Sequence, residues 1–208
     1  MVYNPLDKKN LARSVGEALL STEPQPLSDI GAIEGAGVYA LYYTGRFAAY
    51  QSLSARNANG QFQQPIYVGK AVPTGARRGL AQFDASRGKA LRNRLEEHAE
   101  SIRQAGHTLA IEDFWFRALV VDDIWIPLGE SMLIQMFRPI WNHVVDGFGN
   151  HDPGAGRHQS KVSAWDTLHP GRTWAARLRG GARLSREQVL QKIIEAERLA
   201  ADPSNAKP

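Results

Sequence analysis

Apolar and polar positions alternate with different periods along the chain, and each period predicts a different element. The segment LARSVGEALLS (11–21) repeats apolar residues at helical spacing, which predicts a helix near the start of the chain. Three runs, GVYALYY (37–43), PIYVGK (65–70) and DFWFRALVV (113–121), are rich in β-branched and aromatic residues and predict strands. Long connections separate these strands.

Three further segments are predicted to be helices, of which the first and the last have their apolar residues on one face. They are KALRNRLEEHAESIRQAG (89–106), IPLGESMLIQMF (126–137) and SREQVLQKIIEAERLAAD (185–202). The last begins with Ser185 and Gln188, which have the spacing of a capping box. We therefore predict an α+β fold with a small three-stranded, mainly antiparallel sheet, flanked by helices and followed by a C-terminal helix.

The segments between these elements lack a clear period. Residues 44–64 are rich in Asn, Gln, Ser and Ala and are predicted to form a long loop inserted between two strands. Residues 138–172 are predicted to be mostly irregular. The chain divides into an N-terminal extension (1–34), a central domain (35–150), and a basic tail with a helix (151–208) that packs on that domain.

Composition excludes several classes of protein. Of the 208 residues 43% are hydrophobic and 22% are charged, as in ordinary globular proteins. No apolar run approaches the roughly 20 residues of a membrane span, and the start lacks a secretory pattern, so a cytoplasmic protein with no membrane partner is expected. The absence of cysteine excludes disulfides, thiolate metal sites and a cysteine nucleophile.

Charge is distributed unevenly around a net value of +4. Residues 70–103 and 151–208 each carry a net +4, whereas residues 104–150 carry a net −4. Two basic blocks around an acidic middle would suit a polyanion, because neutralising phosphates releases counterions. A solvated basic surface with no partner explains the same charges equally well.

Several polar residues lie beside predicted apolar surfaces. Arg94 and His98 are four positions apart and share one helix face, where they are either candidates for chemistry or an arginine and a half-buried histidine at the core edge. Glu130 lies in an almost wholly apolar helix, either as a first-turn glutamate favoured by the helix dipole or as a ligand of a hard metal ion. Asn142 either ties a loop or belongs to the same site.

Two tyrosines lie beside glycines on successive predicted strands. Tyr39 follows GV, and Tyr67 precedes VG, so a ligand or another backbone segment could approach each strand closely. Both are otherwise ordinary aromatic residues of half-buried strands. Lys70 follows the second glycine, where a buried strand needs no cation.

The ordered pattern of GVY, YVG, a helical arginine and a helical glutamate resembles the GIY-YIG nuclease superfamily. The long insertion between the tyrosines is similar to that of type II restriction endonucleases of this superfamily, as are YVGKAVP, RPIWNHVVDGFGNHDPGAGR and WDTLHPGRTWA. Within that group the resemblance is to the enzymes that cut CCGCGG, and it covers residues 35–175. Valine replaces isoleucine in both short motifs, which conserves their shape. The resemblance implies these catalytic candidates: Tyr39, Tyr67, Lys70, Arg94, His98, Glu130 and Asn142.

The resemblance also implies roles in phosphodiester hydrolysis. Glu130 would hold one Mg²⁺ ion, with Mn²⁺ as a substitute, against the scissile phosphate, and Arg94 would offer its donor fork to a phosphate oxygen. Tyr39 would handle the attacking water. Because a free phenol has a pKa near 10, a nearby cation must lower that pKa or Tyr39 must pass its proton onward.

The remaining candidates assist these groups. We expect Lys70 to face the reacting phosphate and His98 to take a proton from Tyr39 or from the water. Tyr67 would position the water or the phosphate. Asn142 would fix Glu130 or a nearby phosphate.

Recognition of double-stranded DNA requires further basic residues, most of which would contact phosphates and a few of which would contact bases. A palindromic target is matched by a two-fold homodimer, with residues 44–64 at the dimer or DNA surface. Two alternatives are a non-catalytic or structure-specific DNA-binding protein and a repair or homing nuclease of the same superfamily. The candidates for DNA contact are Arg77, Arg78, Arg87, Lys89, Arg157, His158, Lys161 and Arg172.

Overall fold

A four-stranded antiparallel sheet forms the centre of the protein in a computed structural model that describes residues 7–72 and 88–201. Its strand order is β1-β4-β2-β3, so the strand that carries Tyr67 and Lys70 lies at an edge. Tyr39 of β2 pairs directly with Gly69 of β3. The strands are β1 (Gln25–Pro26), β2 (Gly37–Tyr43), β3 (Tyr67–Ala71) and β4 (Phe114–Val120).

Seven α-helices are assigned in the described part of the chain. The helix predicted over 126–137 has those bounds, and the other predicted helices differ by a few residues at their ends. The capping box is confirmed, because Gln188 N donates to Ser185 Oγ and Ser185 N donates to Gln188 Oε1. The helices are α1 (Lys8–Ser21), α2 (Gln51–Asn57), α3 (Ala90–Gln104), α4 (Ile126–Phe137), α5 (Ile140–His143), α6 (Ala164–Leu168) and α7 (Arg186–Ala201).

The two faces of the sheet are covered by different layers because side chains alternate along each strand. Tyr39 and Leu41 point toward α3, α5, α6 and α7, and they pack with buried residues such as Leu95. Val38 and Ala40 point the other way and pack against α1 and α4. Residues of one strand therefore reach two separate apolar clusters.

The α+β class and the antiparallel sheet are confirmed, but the number of strands is four rather than three. The additional strand contains only two residues, and one of them is a proline. Gln25 and Pro26 pair with Phe116 and Trp115 at the edge of β4. Such a short strand has no alternating pattern that a sequence could display, and an edge position tolerates proline.

The insertion between β2 and β3 is not the loop that was expected. It contains a 3-10 turn (Ala48–Tyr50) and α2, which places Leu53 in the core. Asn57 is also buried, where its amide donates to Tyr43 O and Gln64 O and its oxygen accepts from Gln64 N. The short helices α5 and α6 likewise interrupt the segment predicted to be irregular.

The first and last helices of the described residues, α1 and α7, pack on the sheet or on its insertion. Leu19 of α1 is buried with residues of α4, and Arg56 of α2 forms an ion pair with Glu197 of α7 at 3.0 Å. The division of the chain near residues 34 and 150 stays a prediction. No helix within the described residues is both long and apolar enough to cross a membrane.

Candidate active site

A buried hydrogen bond joins two of the residues that the sequence singles out. Tyr39 projects from β2 toward α3, and its hydroxyl lies 2.6 Å from Nε2 of His98. Both side chains are nearly inaccessible to solvent, with 0% and 1% of their surface exposed. His98 is therefore fully buried rather than half-buried. Its position four residues after Arg94 places both on the helix face that meets the sheet.

Burial keeps both members of this pair neutral. It raises the pKa of Tyr39 well above its usual value, an effect that the nearby Tyr67 adds to and the guanidinium of Arg94 opposes. Burial also lowers the pKa of His98 well below its usual value, and the charge of Arg94 acts in the same direction. Of the two alternatives for Tyr39, a pKa lowered by a cation is not what the structure shows, because desolvation outweighs the neighbouring charge, and onward transfer of its proton stays a prediction.

Tyr67 and Arg94 lie next to this pair. The ring of Tyr67 is centred 6.3 Å from that of Tyr39 and 5.3 Å from that of His98. Burial raises the pKa of Tyr67, and the charge of Arg94 opposes that rise. The side chain of Arg94 is 19% exposed, so its guanidinium extends from the buried phenols to the surface. A phosphate could therefore approach Arg94 beside the two tyrosines.

Lys70 and Glu130 form a second pair on the other face of β3. Lys70 Nζ donates to Glu130 Oε2 at 2.7 Å, and the two side chains are 39% and 20% exposed. Glu130 extends from α4, and Lys70 follows Gly69 along the strand. The partly enclosed carboxylate thus has a protein cation as its partner. Because of this ion pair, Lys70 is not an isolated charge that faces only solvent.

The two pairs are within electrostatic range of each other around the edge of the sheet. The negative charge of Glu130 raises the pKa of both Tyr39 and Tyr67, although the carboxylate belongs to the opposite layer. Because β3 is an edge strand, no further strand separates the groups on its two faces. The charges of Arg94 and Glu130 therefore both affect the two phenols near this edge.

Glycines allow the close contacts around the tyrosines. A Cβ atom at Gly69 would overlap the hydroxyl of Tyr39, which lies directly across the strand pair. A Cβ atom at Gly149 would lie 2.7 Å from the hydroxyl of Tyr67 and 3.4 Å from a terminal nitrogen of Arg94. Glycine is needed at both positions because side-chain atoms rarely approach a Cβ so closely.

Comparison with known proteins is consistent with this geometry. The family model described as the Eco29kI GIY-YIG domain matches residues 31–197 of the 208-residue chain. The protein belongs to this GIY-YIG restriction endonuclease family. A search of curated proteins finds no match.

The side chain of Asn142 makes a structural contact in this GIY-YIG domain. Its Oδ1 accepts a hydrogen bond from Val68 N at 2.9 Å, and its Nδ2 donates to Val68 O at 2.9 Å. Of the two interpretations, the amide that ties the chain together agrees with these contacts, and the expected contact with Glu130 is not made because both ends of the amide bond the backbone of β3. Asn142 thus ties α5 to the strand that carries Tyr67 and Lys70.

A loop absent from the predicted site supplies three contacts to it. Phe148 stacks on the ring of His98 with centroids 4.4 Å apart and planes inclined by 17°. The carbonyl of Gly149 accepts from Arg94 Nη2 at 2.9 Å, and His151 Nε2 lies 2.7 Å from Arg94 Nη1. An aromatic residue between two glycines, GFG at 147–149, is the sequence signal for such a close approach.

Arg172 does not contact DNA as predicted, because it is 1% exposed. Its guanidinium forms an ion pair with Asp166, with Nε 2.7 Å from Oδ1, and lies between the rings of Trp165 and Trp174. An arginine in a polar stretch of sequence looks the same whether it faces solvent or a buried carboxylate. Only the folded structure distinguishes the two.

The other candidates for DNA contact stay predictions. Arg157, Lys161 and Lys89 are exposed. His158 is half-buried, with Nε2 3.8 Å from Asp152 Oδ1. Arg77, Arg78 and Arg87 lie outside the described residues.

Glu130 provides a carboxylate oxygen, the type of ligand atom that a hard cation needs. Oε2 accepts from Lys70, whereas no hydrogen bond to Oε1 is found among the described residues. No cluster of three or more His, Asp or Glu side chains that could enclose an ion occurs in residues 7–72 and 88–201. One carboxylate fits Mg²⁺, which keeps several waters and commonly shares its coordination with substrate phosphates.

A second buried tyrosine–histidine pair occurs away from these groups. Tyr50 of the insertion has its hydroxyl 2.8 Å from Nε2 of His169 and accepts a hydrogen bond from Trp141 Nε1 at 2.9 Å. Thr108 Oγ1 lies 3.0 Å from the other ring nitrogen of His169. Because other protein groups already bond to both side chains, the Tyr50–His169 pair can be compared with the Tyr39–His98 pair as a control.

Proposed function

We propose that this GIY-YIG nuclease is a type II restriction endonuclease that hydrolyses phosphodiester bonds of double-stranded DNA with one Mg²⁺ per active site. The observation that carries the proposal is the 2.6 Å contact between the Tyr39 hydroxyl and His98 Nε2, next to the Arg94 guanidinium. A neutral phenol bonded to a neutral imidazole can relay a proton without first ionising.

Tyr39 accepts a proton from the attacking water while its own proton moves to Nε2 of His98. The water oxygen forms a bond to phosphorus, and the leaving nucleoside oxygen departs with the electron pair of the broken P–O bond. His98 is placed to receive this proton because Nε2 already contacts the phenol, and its lowered pKa leaves the imidazole unprotonated beforehand and favours return of the proton afterwards. The relay also avoids a phenolate, which burial of Tyr39 disfavours.

Arg94 and Glu130 balance the charge of the phosphate. Arg94 stays positively charged at working pH and offers planar N–H donors to a phosphate oxygen. Glu130 would hold Mg²⁺, which offsets negative charge on the reacting phosphate when bound, and Mn²⁺ can replace it because both accept oxygen ligands. Lys70 keeps the carboxylate oriented through its hydrogen bond and adds a positive charge near the phosphate.

Target recognition is proposed to involve a homodimer. A two-fold dimer presents two equivalent sites to the two strands of a palindrome, and the resemblance implies the GC-rich sequence CCGCGG. The exposed cations Arg157, Lys161 and Lys89 are the described candidates for contacts to DNA. The insertion that carries α2 remains the proposed dimer or DNA surface.

Incubation of plasmid DNA of known sequence with the purified protein tests this function directly. We expect discrete fragments with Mg²⁺ or Mn²⁺ and none with EDTA, and sequencing of the ends gives the target and the stagger. Glu130→Ala should abolish cutting, Tyr39→Phe should slow it by about 10²–10⁴-fold, and both variants should retain DNA binding. Intact plasmid at high protein concentration with Mg²⁺, despite binding, would instead indicate a non-catalytic DNA-binding protein.

A further inference from the structure

The guanidinium of Arg172 uses all of its donors inside the protein. Nε and Nη2 donate to the two carboxylate oxygens of Asp166, each at 2.7 Å. Nη1 donates to the carbonyls of Phe148 and Asn150 at 2.9 and 3.2 Å, and Nη2 donates to that of Gly147 at 2.9 Å. An arginine has five N–H groups, so none is left for DNA.

Asp166 is fixed from a second side. Ser163 Oγ donates to Asp166 Oδ2 at 2.6 Å and accepts from Asp166 N at 3.2 Å, which caps α6. Gly147 packs against Ser163 so closely that a Cβ atom would overlap the serine side chain, and its φ of +106° favours glycine. The loop 147–150 is therefore anchored to α6 through carbonyl, carboxylate and backbone contacts.

The same loop forms one wall of the active site. Phe148 stacks on His98 at 4.4 Å and meets the ring of Tyr67 edge-on at 5.0 Å. The carbonyl of Gly149, the one loop carbonyl between residues 147 and 150 that Arg172 does not hold, accepts from Arg94. The carbonyls of residues 147, 148 and 150 thus face the buried Arg172, whereas that of Gly149 faces Arg94.

We propose that Arg172 and Asp166 are positioning residues of the active site, which hold the loop 147–150 so that Phe148 covers His98 and Gly149 orients Arg94. The inference rests on the proposed roles of His98 and Arg94. It also assigns a purpose to a buried ion pair. Apolar residues of similar size can replace such pairs without loss of stability, so stability alone does not require one here.

Two variants separate positioning from folding. Arg172→Met leaves Asp166 buried without its partner and is expected to destabilise the protein. The double variant Arg172→Met/Asp166→Leu removes both charges, so it should recover most of that stability while the carbonyls of the loop remain unheld. Thr108→Val is the matched control, since it removes side-chain hydrogen bonds to Ala105 O and His169 Nδ1, which lie outside the loop and outside the proposed binding surface.

Single-turnover cleavage at saturating DNA measures the effect on the reaction. We expect the double variant to cleave roughly 100-fold more slowly, because a shift of about 1 Å in a reacting group has that effect. DNA affinity should stay within about threefold, since Arg172 and Asp166 are buried. Thr108→Val, compared at equal fraction folded, should keep the wild-type rate. An unchanged rate in a folded double variant would overturn the proposal.

Histidine NMR tests the loop in the absence of DNA and of cleavage. With ¹⁵N-labelled histidine, His98 of the wild type should stay neutral through mildly acidic pH. In the double variant, solvent should reach the ring where Phe148 has moved, so His98 should titrate closer to its ordinary pKa. If the wild type does not cleave DNA, the proposed function is wrong, but the titration still shows whether Arg172 and Asp166 hold the loop 147–150. If His98 titrates identically in the wild type and in the folded double variant, the proposal that Arg172 and Asp166 hold the loop is wrong.

Discussion

Removing the hydroxyl of Tyr39 affects stability and catalysis by different amounts. Tyr39→Phe leaves Nε2 of His98 without its partner at a position that is 1% exposed. An unsatisfied buried polar group costs about 1–3 kcal/mol, against a usual unfolding free energy of about 5–15 kcal/mol. The variant should therefore remain folded. Loss of the proton relay should slow cleavage by about 10²–10⁴-fold, the range of general acid–base catalysis.

A double-mutant cycle that combines Tyr39→Phe with His98→Leu measures the coupling between the two residues. Each single variant leaves one polar group unpaired, whereas Tyr39→Phe/His98→Leu removes both, so the double variant should lose less stability than the sum of the singles. The coupling should be about 1–2 kcal/mol in urea unfolding. Cleavage should not fall further in the double variant than in either single variant, because the two residues act as one unit.

Tyr50→Phe is the matched control, since it makes the same chemical change in the other buried tyrosine–histidine pair. It should reduce stability at least as much as Tyr39→Phe, because both His169 and Trp141 lose a partner. At equal fraction folded it should cleave within about threefold of the wild type. Equal losses of rate in the two variants, or additive losses in the cycle, would refute the relay.

Three further predictions concern pH, salt and steric space. Burial lowers the pKa of His169 to about 3, so the unfolded state binds more protons between that value and about 6.5; His169 alone should cost about 2 kcal/mol of stability at about pH 5, and urea unfolding of His169→Gln should show a loss smaller by that amount, with His98 contributing to the loss that remains. If Lys161 contacts a phosphate, Lys161→Ala should lower the slope of log Kd against log salt by about 0.9 in a fluorescence anisotropy titration, while Arg13→Ala on α1 should leave the slope unchanged. Gly149→Ala should slow single-turnover cleavage at least tenfold by placing a methyl group 2.7 Å from a hydroxyl, whereas Gly156→Ala, with nothing within 4 Å, should cleave normally.

Regular periodicity predicted the main elements well. The strand over 37–43 and the helix over 126–137 have the predicted bounds, because their apolar patterns are uninterrupted and end at clear signals. The helix inside the insertion was harder to predict from the sequence, since α2 has only seven residues and its stability comes from tertiary contacts of Leu53 and Asn57. Such short helices depend on packing rather than on intrinsic propensity.

The candidate site was predicted mainly by resemblance, and its internal contacts were not. The ordered motifs identified Tyr39 and His98, but their hydrogen bond joins residues 59 positions apart. The partner of Arg172 is a carboxylate six positions away, and the carbonyls it holds lie 22–25 positions before it. Sequence periodicity carries no information about contacts at such separations when the intervening chain is irregular. The catalytic roles stay predictions.

The side-chain amide of Asn142 has a consequence for assembly. It pairs with both backbone groups of Val68 that face away from β2, and Trp141 N donates to Ile66 O two residues earlier. An incoming strand from another molecule would need these same groups. The outer side of β3 is thus blocked at Val68, so a strand from another molecule cannot pair there without displacing Asn142.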